Sequence, residues 1–266
     1  MVRAHQEQSQ RLRDPDWHAG QDYAPPSVDS FRADREREDD ARVLEVLRSL
    51  TQPEDVVVDV GAGAGRFAVP LARRVRQVVA VEPSEAMRTV LARDVQRAGL
   101  TNVQVVPHRW DEVWDVRGDV VFAAHVVYPM ADIEPFVRRL DAAARRWAAV
   151  LVFEAPPLSW LFPFWPAVHG ETRLPPPHLP QLIDVVSELG FEPFTVERID
   201  VEPFELGPAD LARTKLRRRL YVAPGSATDE RLGRAMAELL DDRAGLLVPH
   251  TEQPIRVGIV RWQPHN

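Results

Sequence analysis

Val56-Val57-Val58-Asp59-Val60-Gly61-Ala62-Gly63-Ala64-Gly65 runs a short β-branched segment directly into three glycines at alternate positions. Branched side chains at nearly every position describe a strand buried on both faces, as in a parallel sheet. Glycines after such a strand permit backbone angles that other residues avoid, and they let a ligand approach the main chain closely. A glycine-rich turn alone does not name the ligand. Three neighbouring features narrow it. Asp59 stands two residues before Gly61, where a carboxylate accepts hydrogen bonds from an ammonium group or from loop amides. The glycines read G-x-G-x-G, and Arg66 occupies the sixth position at which the dinucleotide fingerprint requires glycine. Glu82 ends the next apolar run, where an acidic side chain can take both hydroxyls of a ribose.

The same alternation extends outward from this stretch. Val43, Leu44, Leu47 and Leu50 share one helix face, ended by Pro53. Arg66 to Val75 reads as a helix in which Pro70 is tolerated only near the first turn. Strands are expected at Gln77 to Val81, Val103 to Val106, Val120 to Ala124, Ala148 to Phe153, Phe191 to Val201 and Ile255 to Trp262. Between them, Ser84 is an N-cap for a helix carrying Met87, Val90, Leu91 and Val95 inward. Asp132 caps a helix with Pro135 in its first turn, and Leu179 to Leu189 is a helix stopped by Gly190. Regular strand–helix alternation predicts an α/β fold with a doubly wound, mostly parallel sheet.

The expected organisation is an N-terminal arm over 1–38, ordered around Trp17, Tyr23 and Phe31, and a main domain over 39–203 and 251–266. Two insertions interrupt it: a proline- and aromatic-rich lid at 154–178, and a helical lid at 204–250 placed before the last strand. Trp160, Phe162, Phe164 and Trp165 read mainly as rings that dock the first insertion, with one or two touching substrate. Arg213 to Arg219 read as the solvated face of a helix whose inner stripe is Ala212, Leu216 and Leu220.

Composition bounds the chemistry. The formal charge of −7 disfavours general attraction to nucleic-acid phosphates. With no cysteine, disulfides, thiolate metal sites and cysteine nucleophiles are excluded, and with them cysteine-based pyrimidine C5 methylation. No metal site is expected. Met1 to Arg13 is polar, and no run approaches the ~20 apolar residues of a membrane span, so a cytoplasmic protein without stable membrane insertion is expected.

Asp59 to Phe67 resembles the first motif of the class I S-adenosylmethionine-dependent methyltransferases, and Val79-Ala80-Val81-Glu82-Pro83-Ser84-Glu85-Ala86-Met87 resembles the segment that follows it. The resemblance implies a Rossmann-like sheet of seven strands with the last antiparallel, and S-adenosylmethionine lying across the ends of the first strands. It implies that Asp59, Gly61, Ala62, Gly63 and Gly65 hold the methionine end, with Glu82 and Pro83 at the ribose. Arg109, Trp110 and Asp111 fall where the family contacts adenine, and Ala124 and His125 fall near the transferred methyl. The family's DNA N-methylating members carry Asn/Asp-Pro-Pro-Tyr/Phe after the fourth strand. Here Ala123-Ala124-His125-Val126-Val127-Tyr128-Pro129 stands instead, which moves weight from DNA to a small-molecule acceptor.

Methyl transfer to such an acceptor mainly needs in-line alignment and dryness. His125 reads either as a general base or as a hydrogen-bonded pocket residue, with Tyr128 and then Glu154 as weaker choices. Two other functions fit the glycine loop: a non-catalytic S-adenosylmethionine-binding sensor or partner subunit, and an NAD-dependent oxidoreductase. Asp59 and the incomplete fingerprint count against the second.

Overall fold

The computed structural model describes residues 1–17, 38–201, 206–250 and 255–265. Of the residues expected to order the arm, Tyr23 and Phe31 lie outside the described residues.

Seven strands form one sheet: β1 Val56–Val60, β2 Gln77–Val81, β3 Val103–Val106, β4 Gly118–Ala124, β5 Ala144–Phe153, β6 Phe194–Val201 and, last in the chain, β9 Ile255–Trp262. Their order is β3-β2-β1-β4-β5-β9-β6. β1 pairs in parallel with β2 and with β4, and β9 runs antiparallel to both β5 and β6. The sheet is therefore the expected one, with the last strand reversed. The strand order turns back between β1 and β4, which opens a crevice at the carboxyl ends of those strands.

Each face of the sheet is covered. Val57, Val78, Phe122 and Ile259 pack with α2 (Glu38–Ser49), α3 (Ala68–Ala72) and α4 (Glu85–Arg97) through Leu47, Leu71 and Leu91. Val58, Val60, Val121 and Val150 face the other way, onto α5 (Glu134–Ala143) and α7 (Leu179–Glu188) through Val137, Leu140, Leu182 and Val186. The switch of layer between Val57 and Val58 is the two-residue period of a strand.

Several boundaries differ from the sequence expectation for local reasons. The helix after the glycine loop is confined to Ala68–Ala72, with Pro70 inside its first turn, where no amide partner is lost. Asp132 is not the cap of α5: the N-cap is Ile133, without a side-chain hydrogen bond. Ser84 does cap α4, its hydroxyl accepting from the Met87 N–H. β5 begins at Ala144, extended by Arg146, which reaches back to Asp55 and to the Leu50 carbonyl. β6 begins at Phe194, after Pro193, which has no N–H to give to a ladder.

The two insertions together build a second, smaller core. α6 (Phe164–His169), α8 (Ala209–Leu220) and α9 (Ala227–Leu239) bury Trp160, Phe164, Trp165, Val168, Leu216, Leu220 and Leu232. A hairpin of β7 (Leu240–Arg243) and β8 (Leu246–Pro249), absent from the sequence expectation, closes through Ala244 and Gly245, both at positive φ. The basic residues of α8 are anchors more than a solvated face. Arg213 and Arg217 bind the buried Asp229, and Lys215 donates to the Leu206 carbonyl. Val2–Arg11, expected as the start of a loose arm, is a helix (α1) docked on this unit. The buried Arg173 donates to Gln8 and Ser9 and lies 4.0 Å from the Trp165 ring, while Arg11 pairs with Glu171.

Candidate active site

A cavity of about 1470 Å³ occupies the crevice above β1, β2 and β4. Asp59, Gly61, Ala62, Gly63, Glu82, Pro83, Arg109, Trp110, Asp111, Ala124 and His125 all line it. The strands deliver these residues to one place because each stands at or just beyond the carboxyl end of β1 to β4. Three named candidates do not line it: Gly65, Tyr128 and Glu154. Gly65 lies behind the loop, where an added Cβ would meet Leu91 Cδ1 at 2.5 Å and Val69 Cγ2 at 3.0 Å, so its service is close packing on α4. Tyr128 stands one layer back, behind His125.

The glycine loop is held by the strand beside it. The N–H groups of Gly61 and Ala62 donate to the Val81 carbonyl at 2.8 and 3.2 Å, and Gly65 N–H donates to the Ala62 carbonyl. Gly61, Gly63 and Gly65 all have φ between +54° and +90°, a region closed to most side chains. At Gly63 a Cβ would point into open space, so the absent side chain leaves room for a ligand against the backbone.

The two carboxylates differ in state. Glu82 accepts from the Gly63 N–H and the Ser84 N–H, both at 2.8 Å, and so ties the loop to the end of β2. A carboxylate offers about four lone-pair sites, so Glu82 keeps capacity for hydroxyl donors. Asp59 is 1 % exposed, and its Oδ2 has no hydrogen-bond partner. Burial, and then the charge of Glu82, push its carboxyl up to about 8 against the opposing pull of the Ala68 N–H. A bound cation would favour the ionised form. The pair of carboxylate acceptors thus fits a ligand carrying an ammonium or sulfonium group beside a hydroxyl-bearing sugar.

At the far wall, His125 takes a left-handed backbone conformation, φ 59°, fixed by its N–H to the Leu151 carbonyl. Its Nδ1 lies 2.8 Å from the Tyr128 hydroxyl, which also accepts the Phe153 N–H at 2.9 Å. Burial, reinforced by the Arg66 charge, pushes the imidazole down to about 3. Burial also raises the Tyr128 phenol. Both are neutral at physiological pH.

Trp110 is buried against the sheet and still lines the cavity, with the Arg139 guanidinium 4.9 Å from its ring centre. Arg139 also lies 4.1 Å from the ring of Trp114, which is 78 % exposed at the cavity mouth. Sequence reasoning missed Trp114, Arg139, Val126, Met130 and Phe136, all of which line the cavity. Arg66 also lines it and was read only as a break in the glycine pattern. No described residue of either insertion lines the cavity. The buried rings of Trp160, Phe164 and Trp165 belong to the second core, and none touches this site. Glu154 pairs with Arg198 and Arg256 at the end of β5, and His169 bonds the Leu220 carbonyl.

Residues 57–148 match the family described as "Methyltransferase domain". That segment of methyltransferase-domain sequence lies within the seven-stranded, Rossmann-like sheet. It is 33% identical over 93 residues to a 23S rRNA (uracil(1939)-C(5))-methyltransferase of Xanthomonas campestris, covering 35% of this chain and 20% of that protein. It is 34% identical over 102 residues to a ubiquinone biosynthesis O-methyltransferase of Azorhizobium caulinodans, covering 38% of each. The chain thus spans well under half the length of the curated relatives it matches. In fold, the chain resembles phosphoethanolamine N-methyltransferase 2 of Haemonchus contortus, at 14% identity and a TM-score of 0.58, over 92% of this chain and 58% of that one. Among the described residues no helix is long and apolar enough to cross a membrane.

Proposed function

We propose that this chain is an S-adenosylmethionine-dependent methyltransferase that methylates a small-molecule acceptor on oxygen, nitrogen or carbon, in a cytoplasmic setting. The observation that carries the reading is Asp59: a buried carboxylate with an unpartnered oxygen, beside an open Gly63 and a Glu82 that spans loop and strand end. In the proposed arrangement Asp59 takes the ammonium end of the cofactor. Glu82, with Pro83 beside it, takes the ribose hydroxyls, and Gly61, Ala62 and Gly63 give close backbone approach. Arg109, Trp110 and Asp111 border the adenine, and Ala124 and His125 border the reacting end. When bound, the cofactor supplies an electrophilic sulfonium methyl. The protein's share is to hold an acceptor in line and exclude water.

The cavity volume supports two ligands together. About 1470 Å³ exceeds the ~300–1,000 Å³ that serves one drug-sized ligand, so an acceptor fits beside the cofactor. A small-molecule acceptor is also consistent with the ubiquinone-pathway relative and with the acidic balance of the chain. An RNA acceptor is the second reading, favoured by the exposed Trp114 ring at the cavity mouth; the rRNA-methylating relative acts at uracil C5, and cysteine-based C5 chemistry is closed to this cysteine-free chain.

The test is turnover. Purified protein, radiolabelled S-adenosylmethionine and a cell extract split into low-mass and RNA fractions should give label transfer and S-adenosylhomocysteine with the low-mass fraction. Transfer to RNA alone would replace the acceptor class. Binding without turnover in any fraction would favour the sensor alternative.

A further inference from the structure

We propose that Tyr128 is a positioning residue that locks His125 in the Nε2–H form, so that His125 meets the bound reactants as a hydrogen-bond donor and not as a general base. The inference rests on the methyltransferase reading for the identity of the reactants, and on the side-chain geometry for the tautomer.

The argument is a count of hydrogens around one phenol. The Tyr128 oxygen accepts the Phe153 N–H at 2.9 Å, and it lies 2.8 Å from His125 Nδ1. A hydroxyl has one hydrogen and two lone pairs. If Tyr128 donates to Nδ1, every group in the chain Phe153–Tyr128–His125 is satisfied. If Nδ1 carried the hydrogen instead, both lone pairs of the oxygen would be filled. The hydroxyl hydrogen would then be stranded inside the protein, at the cost of an unmade buried hydrogen bond. Tyr128 packs its ring near the ring of Phe153, and Phe153 lies 4.7 Å from the imidazole, so the three rings hold one another in place. The neutral imidazole has one hydrogen, which the lock places on Nε2.

The free nitrogen faces the reaction space. His125 lines the cavity and Tyr128 does not, so the ring edge turned away from Tyr128 is the one presented to a ligand. No partner of Nε2 occurs among the described residues. Arg66 is the charge that acts on this imidazole, and it disfavours a second positive charge there; Asp59 and Glu82 line the same cavity. A neutral donor there suits a site that also receives a sulfonium cation.

The consequence concerns the acceptor. With His125 unable to collect a proton at neutral pH, the attacking atom must arrive with its lone pair free, as in a neutral amine or an already ionised oxygen. Its lone pair forms the bond to the methyl carbon while the carbon–sulfur bond breaks and its electron pair stays on sulfur. An amine then releases its proton to solvent after transfer. An ionised oxygen has none to release.

Nitrogen-15 labelled histidine in the full chain gives the test, read by long-range proton–nitrogen NMR from about pH 5 to pH 8. The expected spectrum assigns His125 a protonated Nε2 and a bare, hydrogen-bonded Nδ1, unchanged across that range. Tyr128→Phe should turn this single form into a mixture of tautomers. A hydrogen on Nδ1, or titration of His125 between pH 5 and 8, would overturn the proposal. If Tyr128→Phe fails to fold, the wild-type spectrum and its pH titration decide alone, since they report directly which nitrogen of His125 carries the hydrogen and whether it gains a second one. Failure of the wild-type protein to bind S-adenosylhomocysteine would refute the methyltransferase reading and leave the tautomer result standing.

Discussion

Asp59 lies at the end of β1 with its Oδ2 unpartnered and the like charge of Glu82 acting on it. In the unfolded chain its carboxyl ionises near the ordinary 3.8, and in the fold only at about 8. Below the first value both states are protonated and this site costs nothing. As pH rises from about 4 to about 8 the unfolded state sheds the proton first, so the ligand-free protein loses stability over that window. A cationic ligand reverses the balance by favouring the ionised form, so cofactor affinity should rise with pH up to about 8. Asp59→Asn should weaken S-adenosylhomocysteine binding roughly 10- to 100-fold, the scale of a charge-assisted hydrogen bond, and flatten its pH dependence. Calorimetric titrations at several pH values check both. His125 works in the opposite direction. Its folded value of about 3, against 6.5 for the free group, removes stability as pH falls below about 6.5.

Elements carry the next set of expectations, beginning with the glycine loop. Gly65→Ala forces a side chain into Leu91 and Val69 at φ 90° and should destabilise the protein by about 1–3 kcal/mol in urea melts. Gly63→Ala meets only open space. It should cost about 1 kcal/mol from backbone strain while lowering cofactor affinity clearly, because the new methyl occupies the ligand's approach. The second core offers a contrast. Asp229 is buried and holds Arg213, Arg217 and the Gly225 N–H. Asp229→Ala should destabilise the protein by roughly 2–4 kcal/mol by stranding those donors, discounted because both arginines keep some exposure. Cofactor affinity at saturating folded protein should not change, since no described residue of that unit lines the cavity.

At this scale the limits of sequence reading are physical. Strands built from Val56 to Val60 or Gln77 to Val81 declare themselves because burial on both faces leaves no polar position to confuse the period. Asp59, Glu82 and the glycines declare the site because strand ends fix where they must project. The hairpin of β7 and β8 hid behind a helical pattern that runs through Leu239 into Leu240, although Ala244-Gly245 marked its turn. Arg213 and Arg217 looked solvent-bound because their partner, Asp229, comes from another helix. Trp114 and Arg139 were invisible as a pair for the same reason: a loop residue and a helix residue meet only in the fold.

Across the whole molecule, two cores divide the work. The seven-stranded sheet with its helices makes the cavity, and the insertions, with α1 docked on them through Arg173, make a separate packed unit. The insertions were expected to roof the site. Their described residues instead bury their aromatics among themselves and leave the wall of the cavity beyond the glycine loop to the β3–β4 segment and α5. The central claim, that Asp59, the glycine loop and Glu82 form a site for S-adenosylmethionine, is open to one direct measurement. Isothermal titration of the purified chain with S-adenosylmethionine and, separately, with NAD should show one-site binding of the first and none of the second. Glu82→Ala should reduce the first at least ~10-fold, as expected on losing hydrogen bonds to a charged group. Binding of NAD without binding of S-adenosylmethionine, or full affinity in Glu82→Ala, would contradict the account.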